Sequence, residues 1–347
     1  MNFGSKGPSL ANCTSQLGLM GRNTLGIESY AEQAMVITHP EQIALLMQDI
    51  AAYQLAWHVL GGGSNVVLPK LLTGVTLLID IAGKEIISTD EQATLIQVGA
   101  GESWHDFVQW TLDRHLPGME NLALIPGTVG ASPIQNIGAY GLEVALFIES
   151  VQAFDTQKNS LVTLTNQECE FAYRDSYFKK HPGRFIITHV NFKIPKSWFP
   201  VLAYAELAKQ FAHHSPTPVE IFDAVCAIRS SKLPDPKVLG NAGSFFQNPI
   251  VSDAQYAELA KAHPALVSFA DAPGQRKLAA GWLIDQCGFK GKRLGPVGVY
   301  EKQALVLVNH GGGSAQDILD LAKQIQDAVA KTFGVQLEIE PNILQGS

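Results

Sequence analysis

The chain has little that would tie it to a metal, a membrane or a nucleic acid. Its four cysteines, Cys13, Cys169, Cys226 and Cys287, are scattered and form no C-x-x-C pair, so zinc-site and redox-motif spacings are absent. Cys226 and Cys287 fall in apolar helical patterns and read as small core residues. Ten histidines occur without an H-E-x-x-H motif, and no metal is expected. No apolar run approaches the roughly 20 residues that a membrane span needs. The N-terminal stretch shows no positive start followed by an apolar segment, so no secretory signal is expected. Basic residues are outnumbered, 25 Lys and Arg against 32 Asp and Glu for a net charge of −7, which argues against a dedicated nucleic-acid binder. These absences lead to the expectation of a cytoplasmic protein with neither membrane nor nucleic acid as partner; a monomer is expected besides.

What is present suits a globular enzyme. At 347 residues, 46% hydrophobic and 16% charged, the chain exceeds one ordinary core and predicts two or three domains. Residues 1–22 lack periodicity and read as a loose N-terminal segment. Strands are predicted at Leu55–Leu60, Gly74–Ile81, Ala93–Val98, Ser150–Phe154, Leu161–Leu164 and Phe185–Ile194. Helices are predicted from Ser103 to about His115, from Thr217-Pro218-Val219-Glu220 to about Arg229, over Ser252–His263 and Arg276–Cys287, and from Ser314 to about Phe333. Further strands are expected at Ala304–Asn309 and Val335–Glu340. Strands grouped with helices, without strict βαβ alternation, point to the α+β class.

Three segments break this regular pattern. Gly61-Gly62-Gly63-Ser64-Asn65 follows a strand and can turn backbone N–H groups toward a phosphate or diphosphate. Gly118–Gly141 is dense in glycine, small residues and buried-type apolar residues, as suits an irregular wall against a flat ligand. Gly240-Asn-Ala-Gly-Ser-Phe-Phe-Gln-Asn-Pro249 places the hydroxyl of Ser244 after two glycines and before two aromatics able to wall off water. On the residues alone this last run is also compatible with a glycine-rich turn between a helix and a strand. The dinucleotide fingerprint G-x-G-x-x-G fails, with Val66 and Trp104 where the third glycine should stand. No P-loop occurs. His310-Gly-Gly-Gly313 is similar to an esterase oxyanion segment, but no serine has the G-x-S-x-G setting of a nucleophile elbow.

The three segments, with Asn23-Thr24-Leu25-Gly26, Tyr173-Arg174-Asp175-Ser176, Lys232-Leu-Pro-Asp-Pro-Lys237, Ala280-Gly-Trp-Leu-Ile-Asp285 and Leu337-Glu-Ile-Glu340, resemble the UDP-N-acetylenolpyruvoylglucosamine reductase (MurB) family. Order and spacing hold from about residue 22 to residue 343. Pro200-Val-Leu-Ala-Tyr204 resembles the branch with an extra substrate-binding tyrosine loop. The resemblance implies an FAD-binding fold of the vanillyl-alcohol-oxidase/MurB type. Two α+β subdomains (23–85 and 86–216) would clasp FAD, a C-terminal α+β domain (217–333) would take the substrate, and residues 334–347 would return to the active site. It also implies NADPH-dependent, FAD-mediated reduction of UDP-N-acetylglucosamine enolpyruvate to UDP-N-acetylmuramate in peptidoglycan synthesis, hydride passing by way of the flavin. A flavin oxidase of the wider fold, which shares the clasp but not the serine, is the competing reading.

Site residues carried over by the resemblance fall into three groups. Ser244 would protonate the carbon beside the substrate carboxylate, with Lys232 assisting. Arg174 would hold that carboxylate in its guanidinium fork, and Glu340, chosen over Glu338, would help polarise the substrate. Gly61, Gly62, Gly63, Ser64 and Asn65 would take the FAD diphosphate. Ile125, Pro126, Gly127, Gly130, Ala131, Ser132, Ile134 and Gly138 would line the cofactor, with Arg229 approaching the flavin. Tyr173, Tyr204, Lys232, Asn248, Lys290 and Gln303 would contact the sugar nucleotide, Tyr204 as a mobile loop residue. Ile339 and Pro341 depart from the Leu-Glu-Pro-Glu-Val common in the family, and Leu25 stands where phenylalanine is common.

Overall fold

The computed structural model describes residues 9–346, and the chain divides into two compact units. The first takes residues up to 17, 31–62 and 73–229, and the second takes 18–30, 63–72 and residues from 230 on. Of the segment expected to be loose, residues 1–8 lie outside the described residues, and Thr14–Gly18 form an edge strand.

The first unit holds two sheets over a shared core. One is four-stranded, in the order Thr14–Gly18, Tyr30–Ile37, Leu71–Ile79, Trp57–Leu60, the last two strands parallel. The helix Glu41–Ala52 packs into the same core through Ile43, Leu46 and Ile50, which recur at helical spacing. The other sheet is five-stranded and antiparallel, in the order Ser160–Thr165, Ile148–Asp155, Phe185–Pro195, Ala93–Gly99, Lys84–Thr89. Its central strand buries Ile186, Thr188, Val190, Phe192 and Ile194, the alternation that a sheet covered on one face requires. Phe107, from the helix Trp104–Leu112, meets Phe192 with ring centroids 4.8 Å apart. Ser103 caps that helix by accepting from the Asp106 N–H. The helix stops before the expected His115, which adopts φ +56°.

The helix Pro218–Lys232 opens on a reciprocal cap: Thr217 Oγ1 accepts from the Glu220 N–H, and the Glu220 carboxylate accepts from the Thr217 N–H at 2.7 Å. It runs one turn past the predicted end at Arg229.

In the second unit an antiparallel sheet orders Gly240–Ser244, Val306–Asn309, Val297–Val299 and Arg293–Leu294. The helix Ala315–Phe333 joins its core through Ile318, Leu321, Ile325 and Val329, opened by a Ser314–Asp317 capping box and closed by Gly334 at φ +64°. Two predictions need correction here. Gln275–Leu278 is a strand between Ile250–Ser252 and Ser268–Ala270, and the helix is only Ala280–Gln286. Val335–Glu340 is not a regular strand: Ile339 makes one bridge to Phe246, and the ladder resumes where Asn342–Ile343 pairs with Val66–Val67. Pro341, which has no N–H to donate, separates the two pairings.

Candidate functional site

The irregular segment 118–143 forms in the first unit as two 3-10 turns, Glu120–Leu122 and Val129–Ala131, and a minimal hairpin, Gly138–Ala139 with Leu142–Glu143. Its backbone is unusual. Leu124, Asn136 and Tyr140 all have positive φ, a conformation rare for residues with a side chain. Leu124 is held there by its N–H, which donates to His105 Nδ1 at 3.1 Å, while the His105 ring stacks on Phe222 with centroids 5.4 Å apart. Such strain concentrates where a ligand must be met.

The expected cofactor segments meet directly. A Cβ on Gly62 would lie 3.0 Å from the Cα of Gly127, so any side chain here would press the 61–62 turn away from residues 127–128. A bare backbone surface of this kind offers N–H groups to a diphosphate, the fit that an FAD cradle requires. Ile125, Gly127, Ile134 and Gly138 are half-buried, and Pro126 and Ala131 are exposed. Gly130 and Ser132 are instead buried struts: the Gly130 N–H donates to Ala100, and Ser132 Oγ donates to the Val129 carbonyl. Gly63, Ser64 and Asn65 belong to the second unit, where the Gly63 carbonyl accepts from the Thr24 N–H.

Arg174 also has positive φ, +52°, in a tight turn closed by reciprocal backbone bonds between Ala172 and Asp175. The turn is bolted to the wall at three points. Asn136 Nδ2 donates to the Ala172 carbonyl at 3.0 Å, Ser176 Oγ to that of Ile134 at 2.7 Å, and Arg174 Nη2 to that of Gly138 at 3.0 Å. The guanidinium carbon lies 5.7 Å from the ring centroid of Tyr173. Arg229, on the capped helix, hydrogen-bonds Tyr140; burial, together with repulsion from Arg174, pulls its pKa down from the ordinary value. Two guanidinium groups thus hydrogen-bond the same short stretch of the wall, Gly138 and Tyr140, in an acidic chain, an arrangement that favours an anion. Tyr204 packs its ring edge-on against Tyr140, with centroids 4.8 Å apart.

In the second unit Ser244 ends its strand exposed, past a register shift at which Gly243 has φ +69°. The two aromatics that follow do not wall a ligand. Phe245 and Phe246 are buried in the core of this unit, and by anchoring there they fix the chain immediately after the hydroxyl. Asn241 sets the approach, accepting from the Gly243 N–H and donating to the carbonyls of Pro234 and Leu239. The Glu340 N–H donates to the Phe245 carbonyl at 2.9 Å, and Glu340 is half-buried where Glu338 is exposed.

The remaining predicted contacts carry structural partners. Asn248 Oδ1 accepts from the Ala280 N–H at the start of a helix, Gln303 Oε1 accepts from the Leu305 N–H, and Lys290 lies 3.6 Å from Asp285. Lys232 is half-buried at the end of its helix. Sequence reasoning did not single out His105, Glu120, Asn121 or Tyr140.

Two family models match the chain. One describes an FAD binding domain and covers residues 31–164; the other describes the C-terminal domain of UDP-N-acetylenolpyruvoylglucosamine reductase and covers residues 235–344. The chain is 64% identical over 345 residues to UDP-N-acetylenolpyruvoylglucosamine reductase of Polynucleobacter asymbioticus, covering 99% of this chain and 100% of that one. It is 51% identical to the enzyme of that name from Paraburkholderia phymatum, over 93% of this chain and 95% of that one. Among solved structures it is similar in fold to the Thermus caldophilus reductase, with a TM-score of 0.66 at 24% identity over 96% of this chain and 99% of that one.

Proposed function

The chain belongs to the UDP-N-acetylenolpyruvoylglucosamine reductase family, and we propose that Arg174, Glu340 and Ser244 carry its chemistry. The protein is an oxidoreductase of peptidoglycan synthesis that reduces UDP-N-acetylglucosamine enolpyruvate to UDP-N-acetylmuramate, with FAD as cofactor and NADPH as reductant. The FAD, when bound, supplies the hydride-carrying chemistry. The Gly61–Gly62 turn and residues 125–138 would hold it, with Arg229 beside it. We place the enzyme in the cytoplasm, with its family, and propose that it acts as a monomer; none of its described helices is long and apolar enough to cross a membrane.

The protein's own part is to bind, orient and supply a proton. Reduction at the vinyl carbon leaves negative charge delocalised toward the substrate carboxylate. Arg174 binds that carboxylate with a fixed, bidentate fork, and its strained turn pre-organises the fork before substrate arrives. The fixed turn of Arg174, its Nη2 held on the Gly138 carbonyl at 3.0 Å, is the observation that carries this reading, because it sets the fork on the wall before substrate arrives. Ser244 Oγ then delivers a proton to the carbon next to the carboxylate; a serine is a weak acid, but the enolate it faces is a strong base. Glu340 polarises the same group, and Lys232 assists the serine. Tyr173, Tyr204, Asn248, Lys290 and Gln303 contact the sugar nucleotide.

Anaerobic stopped-flow separates the two halves of the reaction. With Ser244→Ala, flavin bleaching by NADPH is expected to persist while reoxidation by the enolpyruvyl sugar nucleotide slows by about 10²–10⁴, the span of a lost proton donor. Normal reoxidation would remove Ser244 from the role. Arg174→Lys is expected to slow the second half more than the first, since a point charge replaces the fork. Equal damage to both halves would instead mark a folding defect.

A further inference from the structure

The segment that bears Tyr204 is fastened from beneath by two neighbouring residues of the 3-10 turn Glu120–Leu122. Asn121 is fully buried, and its Nδ2 donates at 2.9 Å to both the Tyr140 and the Val201 carbonyls. One amide therefore ties together the two stretches of chain whose tyrosine rings meet. Donation to two carbonyls fixes which end of the amide is nitrogen. The oxygen, Asn121 Oδ1, is left buried without a hydrogen-bond partner among the described residues, which is costly in an interior. Leucine would fill a similar volume without that cost, so the two donations are what the amide adds.

Glu120, only 2% exposed, grips the same segment further back: Trp198 Nε1 donates to its Oε1, and the Gly118 N–H to its Oε2 at 2.7 Å. The hairpin completes the seat. Gly141, at φ +88°, leaves room for Val201 and Ala203, whose side-chain atoms would lie 3.3 and 3.1 Å from any Cβ placed there. Beyond Val201 the chain is exposed from Ala203 to Glu206 and is anchored again by the buried Leu207.

We propose that Glu120 and Asn121 are positioning residues for Tyr204. They clamp Trp198 and Val201 beside the Tyr140 hairpin, so that Tyr204 is held between that clamp and the helix Ala205–Gln210, whose Ala208 N–H donates to the Tyr204 carbonyl. A short tether returns Tyr204 to one place and reduces the ordering that substrate binding must impose. The inference rests on the reading of Tyr204 as a substrate contact.

The test uses the FAD-loaded full chain with Asn121→Leu, and with Trp198→Phe as a milder variant that keeps the amide and an aromatic ring but removes the indole N–H together with part of the ring. Hydrogen exchange of residues 202–206, measured without substrate, is expected to accelerate about tenfold in Asn121→Leu and less in Trp198→Phe. KM for the enolpyruvyl sugar nucleotide is expected to rise about fivefold with kcat within about twofold, as for lost uniform binding. On a Tyr204→Ala background, Asn121→Leu should leave KM unchanged, because the two residues act as one unit. Unchanged exchange overturns the clamp. An equal KM effect with and without Tyr204 overturns the positioning role. Faster exchange with KM unchanged in the presence of Tyr204 overturns the assignment of Tyr204 as a substrate contact.

Discussion

Glu340 donates its backbone N–H to the carbonyl of Phe245, one residue past Ser244, at 2.9 Å. That bond, with the neighbouring bridge between Phe246 and Ile339, fixes Glu340 in register with the exposed end of the Gly240–Ser244 strand. Register sets which carboxylate can work beside the serine. Successive residues in a bridge alternate in direction, so Glu338 and Glu340 share a face, yet Glu338 is exposed and Glu340 half-buried.

Glu340→Gln, which keeps shape and removes charge, is accordingly expected to lower reoxidation of the reduced enzyme by substrate about 10²-fold or more, the usual scale for a lost acid–base group. Flavin reduction by NADPH should stay within a few-fold. Glu338→Gln should match the parent chain in both. Reversed effects in single-turnover stopped-flow would transfer the role to Glu338.

The cradle makes a second prediction, read by cofactor content. In Gly62→Ala the new Cβ would press on the backbone of Gly127, which cannot yield as a side-chain tip could. Residues 61–62 must then lift off the wall, moving the N–H groups that would face a diphosphate. Protein purified from this variant is expected to retain its far-ultraviolet circular dichroism but lose most of its yellow colour, with affinity for added FAD down at least about tenfold. Parent-level flavin absorbance per chain would show that this turn does not hold the cofactor.

How much of this was legible in the sequence differs by kind of signal. Local signals read well: the Thr217–Glu220 cap, the Ser314 box and the irregular character of 118–143 all rest on residues a few positions apart. The resemblance then supplied the family. Short segments read poorly. Arg276–Leu278 falls inside an expected helix because so few residues cannot distinguish the two periods, and only pairing to strands on both sides settles it. Phe245 and Phe246 read as a wall against water because sequence does not say which side of a chain faces the core, where both are buried. His105 and Asn121 could not be singled out at all: the partners that define them lie 19 and 80 residues away.

Glu120 gives a pH dependence whose sign can be worked out. Burial raises its carboxyl pKa, opposed by its hydrogen bonds with backbone N–H groups and with Trp198. Below the ordinary carboxylate value of about 4.3 both folded and unfolded states hold the proton, and the residue leaves stability unaffected by pH. As pH rises past that value the unfolded state releases its proton first, so the folded state loses ground until its own raised pKa is passed. Above that point the penalty is constant. Glu120→Gln cannot ionise, so it lacks this penalty, although it leaves one donor poorly matched at every pH. The unfolding free energy of the parent minus that of the variant, from denaturant titrations of FAD-loaded protein, is therefore expected to fall as pH rises from about 4.3 and then level off. A difference that stays flat from below that value to neutrality would mean that the buried carboxyl is not raised. A difference that grows with pH would mean that Trp198 and the backbone donors outweigh burial.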